Sequence, residues 1–134
     1  IKTIGDAYMV ASGIPDHDGE HAQKIADFAI DMKAFMHGYR QEKGLNISIR
    51  IGVHSGPAVA GVIGQNKFIY DIWGDTVNTA ARMESHGQPG EIHISNLTKE
   101  LLGNDYQFED VGEQDIKGKG IMRTWLLKSK KVAA

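Results

Sequence analysis

From residue 47 to residue 53 apolar and polar positions alternate without a break. Ile47, Ile49, Ile51 and Val53 fall on one face, and Ser48, Arg50 and Gly52 on the other. A period of two is the mark of a strand with one buried face. Upstream the period changes. Ala22, Ile25, Phe28, Ala29, Met32, Phe35 and Met36 recur at steps of three and four, which predicts a helix over 21–37 ended by Gly38. The Met and Phe side chains of that helix are expected to pack in the core.

The rest of the chain reads in the same terms. Residues 1–12 predict a strand pair, or a strand plus a turn, around Gly5-Asp6, ending at Gly13-Ile14-Pro15, and 16–20 form a polar loop. His54-Ser55-Gly56-Pro57 is a turn, followed by a strand over 58–63, a turn at 64–67 and a strand over 68–73. A helix over 75–86 follows, with Asp75 as its expected N-cap and Gly87 as its stop. Then come a strand at 91–95 and a helix at 96–102, capped by Ser95 or Asn96 and closed by Gly103. Paired strands at 106–111 and 122–128 flank a loop, 112–121, rich in glycine and lysine. This order predicts a mixed α/β (α+β) fold: a mostly antiparallel sheet with helices packed on it.

Composition narrows the classes of function. The chain has 134 residues, 41% of them hydrophobic, enough for one domain with a core. No apolar run approaches the roughly 20 residues of a membrane helix. The net charge of −2 carries no polyelectrolyte signal, so nucleic acid is not an expected partner. The absence of cysteine excludes disulfides and thiolate metal sites and fits a reducing compartment, and the expected location is the cytoplasm, in a parent protein that an anchor could tether to a membrane. The chain opens at Ile1, without methionine, so a preceding segment is expected.

The candidate chemistry gathers around 68–84. Asn78 and Arg82, spaced i, i+4, share one helix face, and an amide beside a guanidinium fork suits an anionic, sugar-bearing ligand. The same spacing also fits an ordinary amphipathic helix. Asp71, at the end of the preceding strand, could reach the same place. Asp6 is either a turn residue or a hard oxygen donor for Mg²⁺. Lys2 alone reads as a solvated lysine. Lys117 and Lys119 sit either in a flexible turn or in a loop that captures phosphate as point charges. That loop lacks the wider spacing of a Walker-type phosphate loop. His17, His21, His37, His54, His86 and His93 are scattered; only His17 and His21 have zinc-like spacing, and they straddle a loop–helix boundary.

Three segments carry a resemblance. Phe-Ile-Tyr-Asp-Ile-Trp-Gly-Asp-Thr-Val-Asn-Thr-Ala-Ala-Arg-Met-Glu at 68–84, Ile-Lys-Thr-Ile-Gly-Asp-Ala-Tyr-Met-Val at 1–10 and Asp-Ile-Lys-Gly-Lys-Gly at 115–120 stand in the order of the signatures of class III nucleotidyl cyclases, which they closely resemble. The resemblance implies a ferredoxin-like core and assigns roles by position. Asn78 would orient the ribose, and Arg82 would meet the charge growing on the α-phosphate. Lys117, and less clearly Lys119, would hold the leaving pyrophosphate. Asp6 would be the second of two metal-binding aspartates serving two Mg²⁺ or Mn²⁺ ions. The first lies in the family on an earlier strand, so the chain is expected to be a cyclase domain without that strand and inactive alone. Lys2 and Asp71 match the base-reading pair, and Ile72 a position whose backbone touches the base. A lysine donates to adenine N1 and a carboxylate accepts from the N6 amine, whereas guanine presents the opposite pattern. Lysine and aspartate are the family's adenylate-type choice, against glutamate and cysteine in guanylate cyclases.

The implied partners are ATP, a second copy sharing its active sites, and an upstream regulatory or sensor domain. The alternatives are a non-catalytic nucleotide-binding or dimerisation half and a guanylate cyclase. A diguanylate cyclase is disfavoured, because Thr3-Ile4-Gly5-Asp6-Ala7 lacks the Gly-Gly-Asp/Glu-Glu-Phe signature.

Overall fold

The computed structural model describes residues 2–4, 7–12, 20–45, 48–56, 59–63 and 69–131. Eight strands and three helices occur among them: β1 (Lys2–Ile4), β2 (Ala7–Met9), α1 (His21–Lys43), β3 (Ile51–Val53), β4 (Val59–Ile63), β5 (Ile69–Trp73), α2 (Asp75–Ser85), β6 (Ile92–Ser95), α3 (Asn96–Leu102), β7 (Tyr106–Ile116) and β8 (Gly120–Lys130). Four strands form one sheet in the order β3-β6-β8-β7, and β1-β2 and β4-β5 are separate antiparallel pairs. Within the sheet β3 runs parallel to β6, and the other two pairings are antiparallel. The expected α+β class, a mostly antiparallel sheet with packed helices, is what the chain adopts.

Alternation along the central strands sorts the helices onto two faces. Val53, Ile92, Ile94 and Leu127 turn toward α1 and form a core with Ala22, Ala26, Ala29, Leu102 and Tyr106. Gly52 and His93, paired in register, turn the other way and meet α2. The sheet is thus covered on both faces. The half-buried strand expected over 47–53 forms only as β3, with 48–50 outside it, and Gly52, expected on the polar face, lies directly against the α2 backbone.

Helix α1 departs from expectation in two ways. It does not stop at Gly38 but runs to Lys43, where Gly44 takes the left-handed conformation (φ 64°) and its N–H reaches the Arg40 carbonyl. Gly38 costs helix propensity without breaking the hydrogen-bond ladder, whereas Gly44 provides the αL cap. Its buried stripe is Ala22, Ala26 and Ala29, and the large side chains expected in the core are not there: Phe28 is 43% and Phe35 64% exposed. Small residues let α1 approach the sheet closely and turn Phe28, Phe35 and Tyr39 onto a different face, where Phe35 and Tyr39 stack with centroids 6.0 Å apart. Lys33 on α1 and Lys128 on β8 both bond Glu91 Oε2, at 3.4 and 3.0 Å. Burial alone would raise the Glu91 carboxyl, but the bonds and charges of Lys128 and Lys33 outweigh it and hold the group below its ordinary range.

The segment expected as a ten-residue loop, 112–121, is mostly ladder. Strands β7 and β8 run 11 residues each and leave only 117–119 as a turn. A register shift between Asp110 and Gly112, with Gly112 at φ 86°, absorbs the irregularity, so the glycine there marks a bulge rather than a loop. Helix α3 follows its expectation: Ser95 is the N-cap, with Oγ 3.4 Å from Thr98 N–H.

Candidate active site

Strand β5 delivers the chain to α2 through a single residue. Gly74 sits at φ 128°, ψ −176°, a backbone conformation that side-chain-bearing residues rarely adopt. It is the N-cap, and Asp75 is the first residue inside the helix rather than the cap the sequence suggested. With no side chain on Gly74, no side-chain cap bond forms there. Asp75 instead places negative charge in the first turn, where the helix dipole favours it.

Helix α2 rests on β3 and β6 through Thr79 and Met83, which are buried. Thr79 Oγ1 donates back to the Asp75 carbonyl at 2.9 Å, and the buried His93 donates Nδ1–H to the Met83 carbonyl at 2.8 Å. This seating turns the neighbouring helix face outward. Asn78 is exposed and Arg82 partly so. Arg50 and Arg123 are tied up by Glu84 and Asp110, whereas Arg82 makes no ion pair among the described residues. Its carbonyl accepts from the His86 N–H at 2.9 Å, so its main chain is anchored while its guanidinium bonds no side chain among the described residues.

Other sequence-predicted residues are placed only by their backbones. Lys2 lies on β1 opposite Met9. Asp71 and Ile72 lie on β5 opposite Gly61 and Ala60, three and two residues ahead of Gly74. Asp6 falls outside the described residues. Among the described residues no group of three or more His, Asp or Glu side chains could hold a metal. They make no metal centre by themselves, and the fit rests on the Asp6 carboxylate as a hard oxygen donor.

Lys117 and Lys119 stand at the tip of the β7–β8 hairpin, flanking Gly118 (φ 80°), with Lys119 N–H bonded to the Ile116 carbonyl at 2.9 Å. The structure separates the two. Lys117 is exposed, while Lys119 Nζ bonds both carboxylate oxygens of Asp75, at 2.7 and 2.6 Å. Sequence reasoning missed this contact because 44 residues separate the partners. His54 lies near the pair. Its Nδ1 is 2.5 Å from Ser95 Oγ, which in turn bonds Thr98 Oγ1 at 3.0 Å. Burial lowers the His54 pKa, the Lys119 charge adds to that, and Asp75 opposes it. Burial likewise lowers His93, against its bond to the Met83 carbonyl.

Both shifts have one consequence for stability. Below the ordinary histidine value of 6.5 the unfolded chain takes up protons that folded His54 and His93 refuse. Stability is therefore full above pH 6.5 and is lost as pH falls toward the depressed folded values. Melting temperature measured from pH 8 to pH 5 should fall on the acid side, and less steeply in His93→Gln. A slope that His93→Gln leaves unchanged would assign the acid loss elsewhere.

A family model described as Adenylate and Guanylate cyclase catalytic domain matches residues 1–129. The chain belongs to this family, the class III nucleotidyl cyclase catalytic domains. It is 45% identical over 134 residues to an adenylate cyclase of Mycobacterium bovis, covering 100% of this chain and 30% of that protein. Among solved structures it is similar to the guanylate cyclase domain of RhGC from Catenaria anguillulae in complex with GTP, with 39% identity, a TM-score of 0.89, and coverage of 97% of this chain and 71% of that one. It is also similar to a non-canonical dimeric guanylyl cyclase domain of the RhoGC fusion protein from Blastocladiella emersonii, with 37% identity, a TM-score of 0.83 and the same coverage. The chain thus spans 30% of the length of the curated relative. Adenylate and guanylate types both stand among its relatives, so overall likeness does not choose the base.

Proposed function

We propose that this chain is the catalytic domain of an adenylate cyclase, converting ATP to 3′,5′-cyclic AMP and pyrophosphate. What supports the reading is that Lys2 and Asp71 stand at the sequence positions matching the family's base-reading pair. Their donor and acceptor complement adenine N1 and N6, and guanine would face donor with donor and acceptor with acceptor. Ile72 supports the base through its backbone.

In the proposed reaction the ribose 3′-oxygen bonds to the α-phosphorus as the bond to the bridging oxygen of the β-phosphate breaks. Pyrophosphate leaves with the electron pair, and the hydroxyl proton passes to solvent. Asn78 holds the ribose so that attack is in line. Arg82 supplies positive charge to the α-phosphate oxygens where it grows in the transition state. Lys117 receives the departing pyrophosphate. The family typically uses two metal ions, and when bound they supply activation of the attacking oxygen and charge neutralisation at the phosphates. Asp6 is the residue of this chain proposed to hold them, as Mg²⁺ or Mn²⁺.

The test is cyclic nucleotide formation by the parent protein from ATP and from GTP, with magnesium and then manganese. Cyclic AMP with little cyclic GMP supports the reading. Preference for GTP overturns the base assignment, and binding without turnover favours a regulatory half.

The assembly proposed is a homodimer with shared sites, Asp6 coming from one copy and Lys2, Asp71, Asn78 and Arg82 from the other. Mixing an Asp6→Ala protein with an Arg82→Ala protein should restore part of the activity that each lacks. No recovery from confirmed mixed dimers would refute shared sites. The cytoplasm remains the proposed location; no described helix is long and apolar enough to cross a membrane.

A further inference from the structure

Both hairpin lysines lie in one glycine-rich segment, and their surroundings differ. Lys119 spends its ammonium on Asp75, with both carboxylate oxygens within 2.7 Å. Asp75 is the first residue of α2, the helix that carries Asn78 and Arg82 on its next turns. Its side chain is 75% exposed and that of Lys119 26%, and the lysine reaches across the surface from the hairpin to the helix. The turn that presents it is tight: Gly118 and Gly120 both have positive φ (80° and 85°), and the Lys119 N–H closes on Ile116. Lys117, two residues away, makes no hydrogen bond or ion pair among the described residues.

We propose that Lys119 is a positioning residue, not a phosphate ligand: gripping Asp75, it docks the hairpin on the start of α2 and so presents Lys117 to the phosphate end of the site. This rests on the adenylate cyclase reading for what Lys117 meets, but not for the grip itself. Holding the hairpin tip in place before substrate arrives removes an ordering cost that binding would otherwise carry. The pair is surface-exposed, so its effect is modest in size.

The two roles open to Lys119 make opposite forecasts for Asp75. If Lys119 positions the hairpin, Asp75→Asn and Lys119→Met should each raise the KM for nucleoside triphosphate and weaken pyrophosphate inhibition by about three- to fivefold, with kcat less affected. The double variant should be no worse than either single one, and the exchanged pair Asp75→Lys with Lys119→Asp should recover part of the loss. If Lys119 instead binds phosphate, Asp75→Asn frees it. Affinity then holds or improves while Lys119→Met alone fails, and the proposal is overturned.

A second readout in the same parent protein needs no activity. Trypsin should cut after Lys117 several times faster in Asp75→Asn than in wild type, with the thermal midpoint unchanged. Equal cutting overturns the grip. If the wild-type protein binds no nucleoside triphosphate, the functional reading fails, and the trypsin comparison still decides whether Asp75 restrains the hairpin.

Discussion

Arg82→Ala is expected to lower kcat for cyclic nucleotide formation by about 10²- to 10³-fold, with a much smaller change in KM. The split follows from where the charge is. The phosphate charge of the bound nucleoside triphosphate is present from the start, whereas in the proposed reaction extra negative charge on the α-phosphate oxygens appears only as the 3′-oxygen closes. A guanidinium placed there beforehand stabilises the transition state more than the substrate. The structure makes Arg82 a candidate for this task because its main chain is anchored in α2 and its side chain has no competing ion pair among the described residues. Arg82→Lys should recover little, since an ammonium lacks the planar fork that engages two oxygens at once. Steady-state kinetics on the parent protein is the check. A kcat within about twofold of wild type would remove Arg82 from the proposed mechanism, and a rise in KM alone would make it a binding residue.

Gly52→Ala is the second large effect, and it acts through the fold. A Cβ at Gly52 would lie 2.1 Å from the Glu84 nitrogen, 2.6 Å from the Met83 carbonyl carbon and 2.7 Å from the Ala80 carbonyl oxygen. All three are main-chain atoms of α2, so no rotamer change relieves the overlap. Either the helix lifts from β3 or the strand bends. Overpacking of this kind costs about 3 kcal/mol, which is about 10 °C in melting temperature for a domain of this size. Lifting α2 would also unseat Met83 and the His93 bond and carry Asn78 and Arg82 out of place. Loss of both stability and activity is the expected result of thermal melting and assay on one preparation. A melt within about 2 °C of wild type would show that the contact yields freely. Gly56, whose added Cβ would come within 2.7 Å of the Thr76 side-chain oxygen and not of main chain, should be the milder site, because a side chain yields more readily than a helix backbone.

The contrast between these two glycines separates what can be read from sequence and what cannot. The alternation across 47–53 predicted a strand containing β3 and the inward direction of Val53, because side-chain direction along a strand is local geometry. That the opposite face is roofed by a helix depends on a packing partner 30 residues away. The α1 stripe was met at Ala22, Ala29 and Ile25 and missed at Phe28 and Phe35 for a related reason. Phe28, Met32, Phe35 and Met36 have helical spacing, but spacing alone does not say which of two apolar faces meets the sheet, and the alanines took it. The glycine- and lysine-rich composition of 112–121 suggested a loop, and cross-strand pairing overrode it.

The sequence by itself determined the class of the domain, the order of its elements and the identities of the candidate residues, because local periodicity, turn chemistry and three ordered motifs are written along the chain. It also placed Asn78 and Arg82 on one helix face, since their spacing depends only on 3.6 residues per turn. Tertiary structure alone decided which face of α1 is buried, that α2 sits flush on Gly52, and that Lys119 is bound to Asp75 while Lys117 stands exposed. Those outcomes turn on contacts between residues far apart in the chain, whose distances exist only once the sheet has brought its helices and its last hairpin together.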